Sequence, residues 1–329
     1  MEFLEERGGR VIRCVTDDPF KELKKRYGDA YVNYRNERDN AFRNQKLADT
    51  PIQLIISLTS WCNLSCQMCI FKESNSVSKE YMSLELVDKI VSEAKQMKVQ
   101  SFFLGSCSEM LLHPHIEDVI RRFGKVGVFD YWIITNGTLL NDSISQAMID
   151  SGVTVLGVSL DAATNETYKN IRGGNLENVI NKIYEFVELR EKQNKSLPRL
   201  RVCFVEMDHN KHEKEAFIDA WENIADIIDF QSNIECTKKQ ITLDSIFKKR
   251  YVCGYPFATL QIGHDGQLQP CCAEAFDPPG HYKQYNANSM SIYDYWHSSE
   301  MTKLRESLIS HDYLSCCAAC VEIMGKEVT

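Results

Sequence analysis

The stretch PIQLIISLTSWCNLSCQMC, residues 51–69, decides the fold prediction. Its first part, Ile52–Leu58, is an apolar run that follows a proline, which is typical of a strand buried in a sheet. Its second part places Cys62, Cys66 and Cys69 in the loop directly after that strand. Three thiolates at this spacing can converge from one loop on a compact soft-metal site.

Five further strand-like segments follow this first one, and helical patterns separate them. The segments are Ser101–Leu104, Val128–Thr135, Thr154–Leu160, Leu200–Glu206 and Ala225–Gln231. Strands that alternate with helices predict a parallel sheet with helical crossovers. Six such units are three quarters of an eightfold barrel, so we predict an α/β fold: a partial (β/α)6 barrel of the TIM type over residues 51–232.

The rhythm changes after residue 232. His264-Asp265-Gly266 lies between two strand-like runs and predicts a hairpin, and a helix is expected at about Ile292–Leu308 before a cysteine-rich end. We therefore predict a second, small domain over residues 233–329 that is held together by a metal site. Residues 1–50 are polar and read as an N-terminal extension packed on the barrel, although a frayed tail explains the first fifteen equally well.

Composition excludes several classes of function. The chain has 329 residues, is 43% hydrophobic and 26% charged, and carries a formal charge of −8. These values are typical of a globular protein and argue against nucleic-acid binding as the main activity. No apolar run has the length of a membrane span, and the N-terminal sequence shows no secretory signal. We expect a cytoplasmic protein without nucleic-acid or membrane partners.

The thirteen cysteines fit poorly with complete disulfide pairing, because their number is odd. In the first group, a structural zinc ion would need a fourth ligand, and no further Cys or His lies nearby in sequence. A cubane cluster held by three cysteines instead keeps one iron open for an exogenous ligand. Zinc with a distant fourth ligand stays an alternative.

The C-x3-C-x2-C motif of Cys62, Cys66 and Cys69 after the first strand resembles the radical S-adenosylmethionine (SAM) enzymes. The resemblance implies a 4Fe–4S cluster on these three cysteines, with SAM bound to the open iron. It also implies reductive cleavage of SAM to a 5′-deoxyadenosyl radical that abstracts a substrate hydrogen. By the same resemblance, Met68 backs the adenine.

Further stretches resemble the same family. They are Phe103–Pro114, Ile134–Leu140, Val158–Ala162 and Tyr168–Gly173. The resemblance implies that Glu109 binds the SAM amino group and that Ser159 and Arg172 lie near the SAM ribose and carboxylate. Asn136 and Asp161 would shape the pocket. The alternatives are a solvated Glu109 in an ordinary turn, a surface ion pair for Arg172 and a helix cap for Asp161.

A second cysteine group lies in the last quarter of the chain. Twelve residues separate Cys253 from Gly266, four more separate Gly266 from Cys271, and Cys317-x2-Cys320 follows after 45 intervening residues. This arrangement resembles the twitch domain, the shortened SPASM domain that carries one auxiliary 4Fe–4S cluster. Four cysteines leave no iron open, which implies a role in electron transfer or structure.

Two questions about this second group stay open. A zinc site with four cysteine ligands is the structural alternative to a cluster. Cys272 and Cys316 adjoin the chosen ligands and could replace Cys271 or Cys317.

A substrate radical needs a base or a hydrogen donor. The candidate donors are the thiols of Cys107, Cys203, Cys236 and Cys272, and the candidate base is Glu206 at the end of a predicted strand. Buried packing explains a lone cysteine as well, and solvation explains Glu206 as well.

The expected substrate is a sugar, aminocyclitol or nucleotide-sugar, because relatives with one closed auxiliary cluster include an aminocyclitol dehydrogenase. A peptide-modifying enzyme, such as an epimerase or cross-linking maturase, is the alternative, and a non-catalytic metal-stapled binding protein is a third class. The expected electron donor is a flavodoxin or ferredoxin.

Overall fold

The computed structural model describes residues 3–7, 10–14, 20–69, 71–72, 79–106, 108–232, 249–250, 252–271, 284–314, 317, 320–321 and 326–327. Twelve strands lie in these ranges. They are β1 (Phe3–Arg7), β2 (Arg10–Cys14), β3 (Gln53–Ile56), β4 (Ser101–Leu104), β5 (Asp130–Thr135), β6 (Val155–Ser159), β7 (Arg199–Glu206), β8 (Ile227–Ser232), β9 (Lys249–Arg250), β10 (Thr259–Ile262), β11 (Leu268–Gln269) and β12 (Lys326–Glu327).

Ten of these strands form one sheet in the order β1-β2-β8-β7-β6-β5-β4-β3-β10-β11. The six strands β3 to β8 are parallel and pair in chain order, with Leu54 beside Phe102 and Val158 beside Val202. This arrangement confirms the prediction of a partial (β/α)6 barrel. β9 and β12 form a separate antiparallel pair.

Eleven helices lie in the described ranges, with short 3-10 turns at Met110–Leu112 and Lys211–Glu213. The helices are α1 (Lys21–Tyr27), α2 (Asp29–Asn44), α3 (Leu84–Gln96), α4 (Ile116–Gly124), α5 (Asp142–Asp150), α6 (Asn165–Arg172), α7 (Leu176–Lys192), α8 (Lys214–Trp221), α9 (Tyr255–Ala258), α10 (Ile292–Trp296) and α11 (Ser299–Ser310). Side-chain caps begin two of the long helices: before α3, Ser83 accepts the Leu86 N–H at 3.1 Å, and before α7, Asn175 accepts the Asn178 N–H at 3.0 Å.

The barrel strands have two different faces, because successive side chains of a strand point in opposite directions. One face packs on the helices and supplies the core, as Leu200, Val202 and Phe204 do on β7. The alternate positions, such as Arg201 and Cys203, face the inside of the barrel, which we call the lumen. The carboxyl ends of β3 to β8 open the lumen toward the cysteine loop.

The N-terminal segment is more ordered than its polar composition indicates. β1 and β2 form a hairpin, and β2 pairs antiparallel with β8 at the edge of the barrel. α2 packs at the opposite end of the strands from the cysteine loop. There the hydroxyls of Tyr31 and Tyr34 donate to the Asp130 carboxylate at 3.0 and 2.7 Å. Residues 20–44 are thus anchored on the barrel.

The C-terminal segment joins the same sheet. β10 pairs in parallel with β3 and turns back into β11 through the predicted hairpin. The predicted single helix at Ile292–Leu308 is two helices, because Ser298 caps α11 by accepting the Met301 N–H. Trp296 donates its indole N–H to the Ala48 carbonyl at 3.0 Å. The domain boundaries at residues 50 and 232 stay predictions. Within the described residues, every helix is too short or too polar to cross a membrane.

Candidate iron–sulfur and cofactor site

The cysteine loop follows β3 and is tied to the next loop of the barrel. Thr59 bonds the Ser108 hydroxyl at 2.8 Å, and the Glu109 backbone N–H donates to the Trp61 carbonyl at 3.3 Å. The Gln67 N–H donates to the Ile171 carbonyl at 2.8 Å, which ties the other side of the loop to α6. The loop is therefore fixed between the carboxyl ends of several strands.

Cys62, Cys66 and Cys69 are all half-buried thiols in this loop. The Leu64 N–H lies 3.5 Å and the Asn136 Nδ2 3.7 Å from the Cys62 Sγ. Such N–H donors stabilise a thiolate or a cluster sulfur. Burial raises the pKa of the Cys66 thiol to about 11, although the charge of a neighbouring arginine acts the other way. Loading this site with a metal therefore has to release protons.

Arg172 is that neighbouring arginine, and it ends α6. It is 6% exposed, and its Nη1 lies 3.8 Å from the Cys66 Sγ. Its Nε donates to the Asp161 carboxylate at 2.8 Å, and its Nη2 forms a second bond to the same oxygen. The pair is buried, which differs from the surface ion pair considered above. Asp161 binds the Nε and Nη2 side of the guanidinium, so the Nη1 atom is left facing the cysteine loop.

Asp161 has a left-handed backbone conformation with φ 61° and is fully buried. Its other carboxylate oxygen accepts the Val205 N–H at 2.7 Å, and its carbonyl accepts the Asn210 amide at 2.8 Å. Asp161 thus connects the ends of β6 and β7 and orients Arg172. This places it behind the site, as a residue that shapes the pocket through its partner.

Glu109 is 2% exposed and lies between the loops after β4 and β5. Its carboxylate accepts the Leu111 N–H at 3.0 Å, the Thr135 hydroxyl at 2.7 Å and the Asn136 N–H at 2.7 Å. Burial raises its pKa, against these three hydrogen bonds. Among the ion pairs of the described residues, none involves Glu109. The charge of Arg172 reaches Glu109 without forming an ion pair, and a buried carboxylate without an ion-pair partner is suited to a positively charged ligand group.

Asn136 links the two halves of the site. Its backbone N–H bonds Glu109, while its side-chain amide donates to Asn63 at 2.9 Å and lies near Cys62. Thr138 fixes the amide orientation by donating to its oxygen from both the backbone and the hydroxyl. Glu109 and the cysteine loop are therefore held by one residue, through its backbone and its side chain respectively.

The remaining predicted site residues differ in their burial and in their contacts. Ser159 ends β6, is half-buried, and pairs with Cys203 on β7 in the strand register. Cys203 is 4% exposed and faces the lumen. Glu206 lies on the helix side of β7, where its carboxylate bonds Lys214 at 2.7 Å. Met68 is half-buried in the cysteine loop. Cys107, Cys236, Cys272 and Cys316 lie outside the described residues, so their roles stay predictions.

The second cysteine group is partly described. Cys253 lies just before α9 and Cys271 just after β11, so the β10–β11 hairpin places both at one end. Cys253 and Cys317 both pack against the main core, and Cys320 follows one turn later. None of these four forms a disulfide. Their assignment as ligands of one cluster stays a prediction.

Among the described residues, no three His, Cys, Asp or Glu side chains lie close enough together to bind a single metal ion. Thiolates on three corners of a cluster lie farther apart than the ligands of one ion, so this finding concerns single-ion sites. The donor set itself fits an iron–sulfur cluster: soft thiols on one loop with N–H donors around them.

Sequence reasoning missed the residues that frame the site from a distance. Glu213 is buried and accepts four hydrogen bonds, from the Ala163 and Thr164 N–H groups and from the Thr164 and Thr167 hydroxyls. Asn210 is fully buried and bonds the Asp161 carbonyl. No local pattern marks either residue, because their partners lie about fifty positions earlier in the chain.

Two protein families match this chain. Residues 56–195 match the radical SAM superfamily, and residues 253–321 match SPASM, an iron–sulfur cluster-binding domain.

Curated relatives cover part of the chain. This chain is 30% identical over 174 residues to the probable GTP 3′,8-cyclase of Methanococcus maripaludis strain C5. The aligned region is 53% of this chain and 56% of that protein. The chain is 31% identical over 159 residues to the tungsten-containing aldehyde ferredoxin oxidoreductase cofactor-modifying protein of Pyrococcus furiosus, covering 48% and 44%. The chain thus spans about half the length of these relatives.

Solved structures share the fold over most of the chain. Streptococcus suis SuiB bound to the precursor peptide SuiA superimposes with a TM-score of 0.61 at 15% identity, covering 88% of this chain and 72% of that one. Native anSMEcpe with bound AdoMet gives a TM-score of 0.58 at 14% identity, covering 82% and 88%.

Proposed function

Because this chain belongs to the radical SAM superfamily and carries a SPASM-type iron–sulfur domain, we propose that it catalyses C–H modification of a sugar, aminocyclitol or nucleotide-sugar. Membership of these families implies 4Fe–4S clusters and SAM as cofactors. When bound, the cluster and SAM supply a 5′-deoxyadenosyl radical that removes a substrate hydrogen. The protein binds, orients and shields the reactants.

The single observation that carries this proposal is the convergence of three groups at the barrel mouth. The cysteine loop, the Arg172 guanidinium and the Glu109 carboxylate are joined by direct contacts of Cys66 and Asn136. Cys62, Cys66 and Cys69 would hold the cluster. Together, these groups offer thiolates for iron, an arginine for a carboxylate and a carboxylate for an ammonium group.

The amino acid end of SAM matches this charge pattern. Glu109 would accept the ammonium group, which supplies the cation that the buried carboxylate lacks. Arg172 would bind the carboxylate, since Asp161 leaves its Nη1 edge directed at the loop. Ser159 would contact the ribose and Met68 the adenine, as the family resemblance implies. Asn136 would hold the two halves of the pocket in register.

The substrate would lie in the lumen, above the inward positions of β5 to β8. Cys203 faces the lumen beside Ser159. A thiol there is placed to give up a hydrogen atom, whereas Glu206 is engaged by Lys214. We therefore favour Cys203 as the donor or proton-transfer group among the described candidates. The auxiliary cluster would accept an electron if the outcome is oxidation, and a flavodoxin or ferredoxin would reduce the first cluster.

Anaerobic reconstitution with iron and sulfide, followed by incubation with SAM and dithionite, tests the proposal. Formation of 5′-deoxyadenosine is expected, and its absence in protein with a full iron content would contradict radical chemistry. Turnover in deuterated water with extracts of the source organism then identifies the outcome. A product two hydrogens lighter supports dehydrogenation of a ring, whereas deuterium gained at one carbon of a peptide supports the peptide-modifying alternative.

Cys320→Ala tests the auxiliary cluster. If that cluster accepts an electron, this substitution is expected to abolish product while some 5′-deoxyadenosine formation remains. The iron content should fall by about four atoms per protein molecule, which corresponds to one cubane cluster. Loss of soluble protein would instead assign the second cysteine group a structural role. Cys203→Ala is the control for the iron measurement, because Cys203 is not among the proposed cluster ligands and its replacement should keep the iron content.

A further inference from the structure

A continuous belt of side chains crosses the inside of the barrel below the cofactor site. It consists of Phe103 on β4, Trp132 on β5, Arg201 on β7, and Asp229 and Gln231 on β8, and we call it the lumen belt. The ring centroids of Phe103 and Trp132 are 6.5 Å apart at 29°. The Arg201 Cζ lies 5.3 Å from the Trp132 ring, and Arg201 forms an ion pair with Asp229. Gln231 donates to Asp229 at 2.7 Å.

Gly157 lies beside this belt and has no side chain. It lies on β6, between the strands of Trp132 and Arg201, and pairs with Arg201 in the register. A Cβ atom at Gly157 would lie 2.4 Å from the Ile134 Cδ1, which is far inside van der Waals contact. The missing side chain therefore makes room for the Ile134 side chain, which fills the space over β6 beside the belt.

The belt has its own charge balance. The Arg201 and Asp229 side chains are 6% and 0% exposed, so the two charges neutralise each other away from water. A third charge brought to this depth would lose its hydration without gaining a counter-ion, which is strongly unfavourable. The belt is therefore suited to an uncharged group.

Among the polar atoms of the belt without a hydrogen-bond partner in the described part of the chain, two belong to Asp229 and Trp132. They are the Asp229 Oδ1 and the Trp132 Nε1, both buried. One is an acceptor and the other a donor, and a hydroxyl group can satisfy either because it both donates and accepts. Phe103 and Trp132 are half-buried and present ring surface, against which the C–H groups of a saturated ring can pack.

We propose that the lumen belt is a substrate subsite for an uncharged, hydroxyl-bearing ring, as in a sugar or cyclitol. This inference rests on the proposed function, since it names the end of the substrate that enters the lumen. Gln231 is half-buried and bonds the Asp229 Oδ2, so its rotation would free that second carboxylate oxygen for a ring hydroxyl. Any phosphate or amine of the substrate stays at the barrel mouth, where water and charged side chains are available.

Three six-membered-ring probes test the charge rule: neutral myo-inositol, cationic glucosamine and anionic glucuronate. Their binding to the reconstituted, SAM-loaded protein is measured by anaerobic calorimetry. The wild-type protein is expected to bind myo-inositol most tightly. Asp229→Asn leaves Arg201 unbalanced and should favour glucuronate over myo-inositol by about tenfold, while Arg201→Gln should favour glucosamine by about as much, since buried unpaired charges select opposite charge.

The double variant Arg201→Gln/Asp229→Asn is neutral again and should return the preference to myo-inositol. A purely structural ion pair would instead weaken all three probes equally. That result, or a wild-type protein that binds none of them, would overturn the proposal. Trp132→Phe covers the case in which a charge variant does not fold: it keeps the ring, removes the indole N–H, and should weaken myo-inositol severalfold with the order of the probes unchanged.

Formation of 5′-deoxyadenosine by the same variants separates this inference from the proposed function. The contacts of the lumen belt named above, which join described residues, do not involve the cysteine loop, so its variants should retain SAM cleavage. SAM cleavage without the switch in probe preference refutes the subsite alone. The switch without SAM cleavage refutes the radical function and leaves the subsite as a binding site for ring compounds.

Discussion

At the scale of single residues, the site depends on a few buried polar side chains whose hydrogen bonds are fully specified. Glu109 is the clearest case, because three donors hold a carboxylate that meets no cation among the described ion pairs. Its carboxylate therefore has no ion-pair partner among the described residues, and the ammonium group of a ligand would form an ion pair with it.

We expect Glu109→Gln to weaken SAM binding by about ten- to a hundredfold, the usual worth of a charge-assisted hydrogen bond. Binding is measured by equilibrium dialysis on reconstituted protein, with iron content as a check on folding. Thr135→Val is the matched control, since it removes one donor from the same carboxylate but keeps the charge. Equal losses in the two variants would show that Glu109 acts only as a cap of the 110–112 turn.

His113 gives a prediction for pH. Its Nε2 lies 2.8 Å from the Met82 carbonyl and its Nδ1 accepts the His115 N–H at 3.1 Å, which together specify the neutral ring. Burial lowers its pKa below the ordinary 6.5. The unfolded chain therefore binds a proton first as the pH falls, so the stability that neutral His113 contributes is complete above about pH 6.5 and is lost below it.

Urea unfolding between pH 5 and 8 checks this expectation. His113→Gln can still donate to the Met82 carbonyl but does not titrate, so its free energy of unfolding should fall less steeply below pH 6.5 than that of the wild type. His209→Gln, at an exposed position, is the control and should keep the wild-type slope. A His113→Gln profile parallel to the wild type would refute the assignment.

At the scale of elements, the sequence predicted those strands and helices whose buried residues recur at a regular period. It did not predict elements whose formation depends on contacts with residues far away in the chain. The six barrel strands are apolar because helices cover them, and they lie within a few residues of their predicted bounds. The β1–β2 hairpin was missed because its residues are polar and only pairing with β8 orders them. At α6 the cap itself is local, since the Thr164 hydroxyl accepts the Thr167 N–H at 3.2 Å, but the residue that holds this hydroxyl, Glu213, comes from a later loop.

The same division holds for the site. The cysteine motif and Glu109 were found because their spacing or resemblance is local, whereas Arg201 and Asp229 carried only a weak signal. Each is a charged residue inside an apolar strand, Arg201 between Leu200 and Val202 and Asp229 between Ile228 and Phe230. A strand that alternates in this way predicts an inward charge, but the partner across the barrel emerges only from the register.

Glu213 acts on the cofactor site through a helix. Its carboxylate holds Thr164, the residue that caps α6, and also accepts the Thr167 hydroxyl in the first turn, while the last residue of α6 is Arg172. We expect Glu213→Ala to loosen α6 and to weaken SAM binding severalfold, together with a changed EPR spectrum of the reduced cluster when SAM is added. The expected loss corresponds to about 1–2 kcal/mol, the worth of an N-terminal cap.

Glu213→Gln should recover most of this loss, because an amide oxygen can still accept the two backbone N–H groups. Glu215→Ala, exposed on the next turn, should behave as the wild type. A general loss of stability without any change in the EPR spectrum would show that Glu213 serves the fold and not the site.

At the scale of the whole molecule, α2 connects parts of the chain that are far apart in sequence. It shares a small core with Ile52 at the start of β3 and with Ala258 in the C-terminal segment. The link that follows it accepts the indole N–H of Trp296, which anchors α10. Helix α2 is thus a common base for the barrel, which carries the cofactor site, and for the C-terminal segment, which carries the second cysteine group. It lies at the end of the barrel opposite the cysteine loop.

The Asp130 carboxylate is the anchor of this base. It is 3% exposed and receives the hydroxyls of two buried tyrosines, with the Arg35 Nη1 at 3.5 Å. Tyr34→Phe removes the 2.7 Å donor and leaves a buried carboxylate oxygen with a weaker partner. We expect the free energy of unfolding to fall by about 1–3 kcal/mol, the usual cost of such a loss.

Equilibrium urea unfolding measures this change, and Tyr184→Phe is the matched control because Tyr184 is 46% exposed. The control should stay within about 0.5 kcal/mol of the wild type. If α2 is a common base, Tyr34→Phe should also expose both segments that rest on it. Hydrogen exchange should then rise in β10 as well as in α2. Faster exchange in α2 alone would show that the C-terminal segment is held independently of this helix.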